Sequence, residues 1–179
     1  MCSSDLASLH PSVTRIEVAD LSRHVLEHSA YFSDVNHDVL RDPRVTVYVN
    51  DGRHHLRMAS DRTYDLITLE PPPIVHAGVA ALYSREFYAL ARTRLSPNGL
   101  ITQWLPAFGV PQAIIVSMTR AFLDVFPNAV VLSGAGANLL LLGGDGPTVE
   151  MDLRQLARAL EARPAVQADL ARLDRKSHV

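Results

Sequence analysis

Runs with a two-residue apolar period alternate along this chain with runs of helical period, and no other feature narrows the fold as much. "VTRIEVAD", Val13 to Asp20, reads as a short strand closing on an acid. "LSRHVLEHSAYF" follows with apolar residues at Leu21, Val25, Leu26, Tyr31 and Phe32, a helical spacing for which Ser22 is the natural N-cap. "RVTVYVND" is β-branched and alternating, hence a second strand, and "GRHHLRMA" leaves room for a short helix. "YDLITLE" is a near-continuous apolar run, the pattern of a strand buried on both faces. Ser84 to Leu95 carries a cap and an apolar stripe at Phe87, Leu90, Ala91 and Leu95, and "SPNG" ends it. "LITQWLP" is the next strand, and Pro111 opens the helix "PQAIIVSMTRAFLDVF". "NAVVLS" and "NLLLLGG", separated by Gly-Ala-Gly-Ala, form an antiparallel hairpin because so short a link permits nothing else. Met151 to Leu173 is helical, broken in two by Pro164.

Strand-helix alternation means parallel strands joined by right-handed crossovers, with helices on both faces of the sheet. Ligands of such open sheets sit beyond the carboxyl ends of the strands. Three successive strand ends carry acids here: Asp20, Asp51 and Glu70. The expected architecture is therefore an α/β domain with a mostly parallel sheet, a C-terminal antiparallel hairpin and one acid-lined crevice.

The bulk numbers fit such a domain. The chain has 179 residues, of which 47% are hydrophobic and 20% charged, enough for one domain with a core. With a net charge of −2, nothing in the composition argues for nucleic acid or an anionic membrane surface as partner. The single cysteine, Cys2, excludes a disulfide scaffold and suits a reducing, cytoplasmic setting. No run of about 18 apolar residues occurs, so no transmembrane helix is expected within the chain. The two ends stand apart: "CSSDL" and "DRKS" can be encoded by reverse-complementary cores that resemble a sequencing adapter. Residues 1–6 and 174–179 are accordingly expected to be cloning or assembly scars, leaving 7–150 as the principal domain and 151–173 as appended helices.

"IEVADLSRHVLEHSAYF", "DPRVTVYVNDGR", the long block from Tyr64 to Pro106 and "FPNAVVLSGAGANLLLLG" together resemble the spermidine synthase family, the polyamine aminopropyltransferases. The likeness is to a bacterial branch often fused behind a membrane transporter-like region, and Tyr64 to Pro106 is its most specific part. The resemblance implies a class I methyltransferase-type Rossmann fold. It also implies that the family's first strand and Gly-rich loop are missing before residue 7. A chain so truncated is expected to be inactive although its parent would be a transferase.

Carried over by the resemblance, Asp20 holds the ribose hydroxyls of a nucleoside, with a helix-capping role as its plain alternative. Asp51 and Gly52 sit beside the adenine, and a strand-ending turn is the alternative for that pair. Glu70 is the catalytic acid that orients and deprotonates an attacking amine. Gln103 and Trp104 match a pair near the substrate, with core packing the alternative for Trp104. Tyr83 and His76, the latter in the gate-like loop after Glu70, are further substrate-side candidates. The co-substrate would be decarboxylated S-adenosylmethionine, or S-adenosylmethionine itself in a methyltransferase, with no metal. The partner would be a small-molecule polyamine and not nucleic acid; a homodimer and a fused membrane region, with this domain on the cytoplasmic side, are compatible with the resemblance.

The loop after Glu70 departs from the family. Pro71, Pro72 and Pro73 fix φ and favour an extended path, and Gly78 supplies a hinge. Pro73 stands where typical members carry a second acid, which puts a diamine such as putrescine in doubt as acceptor. That loss also keeps open a non-catalytic, nucleoside-sensing domain of a membrane protein. His24 and His28 lie four apart like a metal pair, but with no third ligand the reading is a solvated helix face.

Overall fold

The computed structural model describes residues 3–72, 74–107, 109–133 and 138–176. Cys2, Pro73, the 134–137 connector and the last three residues, on which parts of the sequence reading fall, lie outside the described residues. The chain divides into two compact units, 1–52 with 151–179 and 53–150. The helices after residue 151 thus group with the N-terminal segment.

In the first unit, helix α1 (Ser3–Ser8) precedes strand β1 (Ile16–Asp20), and β1 lies parallel to β2 (Val45–Val49) with Asp20 opposite Val49. Between them run α2 (Arg23–Glu27), a 3-10 turn (Ser29–Phe32) and α3 (Ser33–Asn36). Ser22 is the N-cap of α2, its hydroxyl accepting from the Val25 amide, because a short side chain there satisfies an amide that has no helical partner. The expected apolar stripe does not become core. Leu21 is 72% exposed and Tyr31 81%, because α2 lasts five residues and the chain breaks into separate short turns that give the stripe no common face. Arg44 draws loop and strand together: its guanidinium donates to the carbonyls of Ser8, His10 and Val13 and pairs with Asp42 at 2.6 Å. Near the C-terminus, α7 (Leu153–Glu161), capped by Asp152, is followed by α8 (Pro164–Lys176), and His37 meets Asp169 of α8 at 3.2 Å.

The second unit begins in α4 (Gly52–Met58) and is built on a four-stranded sheet. Strand β3 (Tyr64–Leu69) pairs parallel with β4 (Leu95–Pro106), β4 pairs antiparallel with β6 (Asn138–Gly144), and β6 pairs antiparallel with β5 (Val130–Ser133). The C-terminal hairpin is therefore as expected. "SPNG" follows helix α5 (Arg85–Arg94) but does not separate it from the next strand: β4 starts at Leu95, and the break appears as a register shift between Tyr64↔Leu95 and Leu66↔Leu100. Gly99 is required inside that bulge, since a Cβ there would stand 2.9 Å from the carbonyls of Ser96 and Tyr64.

Helix α5 (Arg85–Arg94), a 3-10 turn (Val79–Tyr83) and α6 (Gln112–Leu123) supply Tyr83, Phe87, Tyr88, Ala91, Met118 and Phe122 to a core shared with Ile67, Ile101, Leu105 and Leu141. Ser84 caps α5 by accepting from the Phe87 amide. All the sheet residues in this core have one parity, so the helices of the unit cover one face. The expectation that Tyr64–Glu70 is buried on both faces is corrected accordingly. Ile67 is buried but Leu66 is 49% exposed, because β3 is an edge strand of this sheet and its Leu66 face carries no helix of the unit. No helix among the described residues is long and apolar enough to cross a membrane.

Candidate functional site

Strand parity assembles the principal recess. Leu69 is level with Gln103 across the β3–β4 ladder, so Glu70, one residue on, is level with Trp104; Trp104 in turn faces Leu140 on β6. Side chains two apart on a strand share a face. Thr68, Glu70, Thr102, Trp104 and Leu140 therefore come up together on the face opposite the helical core. Together with Leu69 they line an open pocket of about 280 Å³. Glu70 is exposed, at the carboxyl end of β3, and the Trp104 indole N–H donates to the Asn138 side-chain oxygen at 3.3 Å.

The same parity separates the Gln103–Trp104 pair. Gln103 points into the core and is 0% exposed. Its amide nitrogen donates to the Trp104 carbonyl at 3.0 Å, and its amide oxygen accepts from the Tyr88 hydroxyl at 3.4 Å. The Tyr83 hydroxyl donates to the same Trp104 carbonyl at 3.3 Å. Burial pushes the Tyr83 phenol up to about 12, with hydrogen bonding to Gln103 opposing the shift, and burial raises Tyr88 further still. Both phenols are thus neutral donors at ordinary pH. Of the substrate-side candidates, Trp104 reaches the pocket, while Gln103 and Tyr83 stand behind it and hold its backbone. Tyr88 belongs to this network and was not singled out in the sequence. Its signal was a hydroxyl-bearing residue beside Phe87 in the α5 stripe, a position that obliges a buried partner.

His76 is exposed in the loop after Glu70. Gly78 adopts φ +82° at the start of the 3-10 turn, a conformation that glycine takes without strain.

At the carboxyl ends of β1 and β2 the other acids sit on neighbouring strands, joined by an Asn50 amide donating to the Asp20 carbonyl at 3.1 Å. The Asp20 carboxylate accepts from the Ser22 amide at 2.7 Å, which fixes it over the turn into α2 while Ser22 does the capping. The Asp51 amide donates to the Asn50 side-chain oxygen at 2.9 Å. Gly52 is half-buried, starts α4, and would meet nothing within 4 Å if it carried a Cβ. The fold of this unit therefore gives no reason for glycine there. His24 and His28 are exposed; the His28 ring hydrogen-bonds the His24 carbonyl and stacks on Tyr31 at 5.6 Å between centroids. Among the described residues no three metal-ligating side chains come together.

Parallel strands with acids at their carboxyl ends, helical crossovers and a closing antiparallel hairpin define a Rossmann-like domain of the class I methyltransferase type. Solved structures of that class superpose on it. Spermidine synthase from Thermotoga maritima matches with a TM-score of 0.66 at 18% identity, over 80% of this chain and 51% of that one. Human methyltransferase-like protein 13 in complex with SAH matches with a TM-score of 0.65 at 17% identity, over 88% and 71%. The particular family follows from the sequence: the spermine/spermidine synthase domain matches residues 8–133, and the chain belongs to that family. Among curated relatives, polyamine aminopropyltransferase 2 of Streptomyces coelicolor is 33% identical over 50% of this chain and 17% of its own length. The polyamine aminopropyltransferase of Bacillus subtilis is 30% identical over 66% of this chain and 42% of its own length. The chain thus spans less than half of these relatives.

Proposed function

We propose that this chain forms part of an aminopropyltransferase domain. It would bind a decarboxylated S-adenosylmethionine co-substrate at Asp20 and Asp51–Gly52, and an amine acceptor at Glu70 and Trp104. The observation that carries the reading is Glu70: an acid just beyond a parallel strand, level with Trp104 in an open pocket, in a chain of the spermine/spermidine synthase family. In this reading the acceptor nitrogen attacks the propyl carbon next to the sulfonium. A C–N bond forms as the C–S bond breaks, methylthioadenosine leaves, and the ammonium proton passes to the Glu70 carboxylate. Glu70 acts by orienting the nitrogen and accepting that proton. Asp20 would take the ribose hydroxyls with its carboxylate already oriented by the Ser22 amide. The missing Cβ at Gly52 would let the adenine approach the backbone. Tyr83 and Gln103 would serve as positioning residues through the Trp104 carbonyl, and His76 as a contact from the loop. The domain boundaries of this proposal are 7–150 for the transferase domain and 151–173 for the appended helices, with a cytoplasmic location.

The test, made in the full-length protein that carries this domain, is incubation with decarboxylated S-adenosylmethionine and a panel of amines, with methylthioadenosine binding measured by calorimetry. Glu70→Gln should bind methylthioadenosine normally yet lose transfer by about 10²-fold, the scale of a lost general base. Asp20→Ala should weaken methylthioadenosine by about tenfold or more. Transfer that survives Glu70→Gln refutes the mechanism, and methyl transfer from S-adenosylmethionine in place of aminopropyl transfer moves the chain to the methyltransferases.

A further inference from the structure

The pocket wall level with Glu70 is an indole, and an indole is selective about how it meets a cation. Its face is negative and its edge positive, so a ring turned face-on attracts an ammonium and a ring turned edge-on repels it. Where the Trp104 ring points therefore decides whether it helps to hold an amine beside Glu70. Two side-chain torsions set that direction, and a half-buried ring in an open pocket has more than one staggered choice for the first of them. The backbone of Trp104 is fixed from the core side, where its carbonyl accepts from the Gln103 amide and from the Tyr83 hydroxyl. Those bonds place the main chain and leave the ring to be oriented by something else.

That restraint comes from β6. Strands β4 and β6 run antiparallel with Trp104 opposite Leu140 and Pro106 opposite Asn138. Residues two apart on a strand share a face, so Asn138 comes up beside Leu140 on the pocket side of the sheet. It is the diagonal neighbour of Trp104, within reach of a large side chain. Its side-chain oxygen accepts from the indole N–H at 3.3 Å. That nitrogen is the ring's one polar atom and lies well away from Cβ, so a single bond there restrains both torsions. Asn138 itself stands outside the pocket lining, and it meets the ring and not what the ring meets. We propose that Asn138 is a positioning residue for the amine acceptor: by accepting from the indole N–H it holds the Trp104 ring in one orientation beside Glu70. The proposal rests on the aminopropyl-transfer reading of the pocket and extends its recognition set to β6.

The experiment uses the full-length protein that carries this domain, labelled with 5-fluorotryptophan so that each indole gives a fluorine NMR signal. The Trp104 signal is the one lost in Trp104→Phe. Transfer from decarboxylated S-adenosylmethionine is measured with 1,3-diaminopropane, 1,4-diaminobutane and spermidine, and KM is taken for the best acceptor of these. Asn138→Leu, close in volume but without an acceptor, should move or broaden the Trp104 signal. It should raise the amine KM by about fivefold with little change in kcat, the pattern of a lost binding interaction. Asn138→Asp, which keeps an acceptor at the same reach, should restore the signal and most of the KM. Asn138 is exposed, so neither replacement disturbs the core. In a Trp104→Leu background Asn138→Leu should raise KM no further, because the ring through which it acts is gone. An amine KM unchanged by Asn138→Leu overturns the proposal. So does a KM raised with the Trp104 signal unmoved, or raised equally in the Trp104→Leu background. Each of these results leaves the aminopropyl-transfer reading standing. Unsubstituted protein that binds methylthioadenosine but transfers to none of these amines overturns that reading, and the proposal falls with it.

Discussion

Replacing Gln103 by leucine tests whether the pocket wall is held from behind. Leucine keeps most of the volume in a site with no exposure, so the cost is polar. The Tyr88 hydroxyl loses its acceptor at 3.4 Å and the Trp104 carbonyl loses a donor at 3.0 Å. The carbonyl retains the Tyr83 hydroxyl, so its loss is about 0.5–1 kcal/mol. The long Tyr88 bond is itself weak, but orphaning a fully buried hydroxyl costs about 1–2 kcal/mol. The expected total is ~2 kcal/mol. With a urea dependence of ~2 kcal/mol per molar, the midpoint should fall by about 1 M. Trp104, the sole tryptophan, lies in the same strand, so its fluorescence follows this unit's unfolding. Adding Tyr88→Phe should recover part of the loss, because removing both partners of a buried hydrogen bond costs less than removing one. A double variant that loses as much as the two single variants combined would refute the coupling of Tyr88 to Gln103.

Two further outcomes follow from the first unit. Gly52→Ala should leave stability unchanged or raise it by up to about 1 kcal/mol, since the Cβ meets nothing and alanine is the better helix former. If the adenine lies against that backbone, the same substitution should weaken methylthioadenosine in calorimetry; unchanged affinity would remove Gly52 from the nucleoside contacts. The Arg44 guanidinium holds the Asp42 carboxyl down at about 2, so this pair stabilises the fold above the ordinary carboxylate range and stops doing so as pH falls through about 2. Arg44→Met should lower thermal stability at neutral pH, through the lost bonds to Ser8, His10 and Val13, and should flatten the acid limb between about pH 4 and 2 in a circular-dichroism titration.

Whatever depends on chain neighbours was legible in the sequence. Ser22 and Ser84 cap the helices that follow them, because a cap bonds amides within three residues of itself. The hairpin of β5 and β6 follows from a four-residue link, and the acids after β1, β2 and β3 stand where the pattern put them. Period two likewise sets Gln103 and Trp104 on opposite faces. Which face is core and which is pocket depended on where α5 and α6 packed, and periodicity within one strand carries no record of that. The same reason explains Leu66, apolar in an apolar run yet uncovered, since β3 is an edge strand and the unit's helices lie on its Ile67 face. It explains Tyr88 too: a phenol in a helical stripe finds its acceptor fifteen positions along the chain, on a strand that only tertiary packing brings within reach.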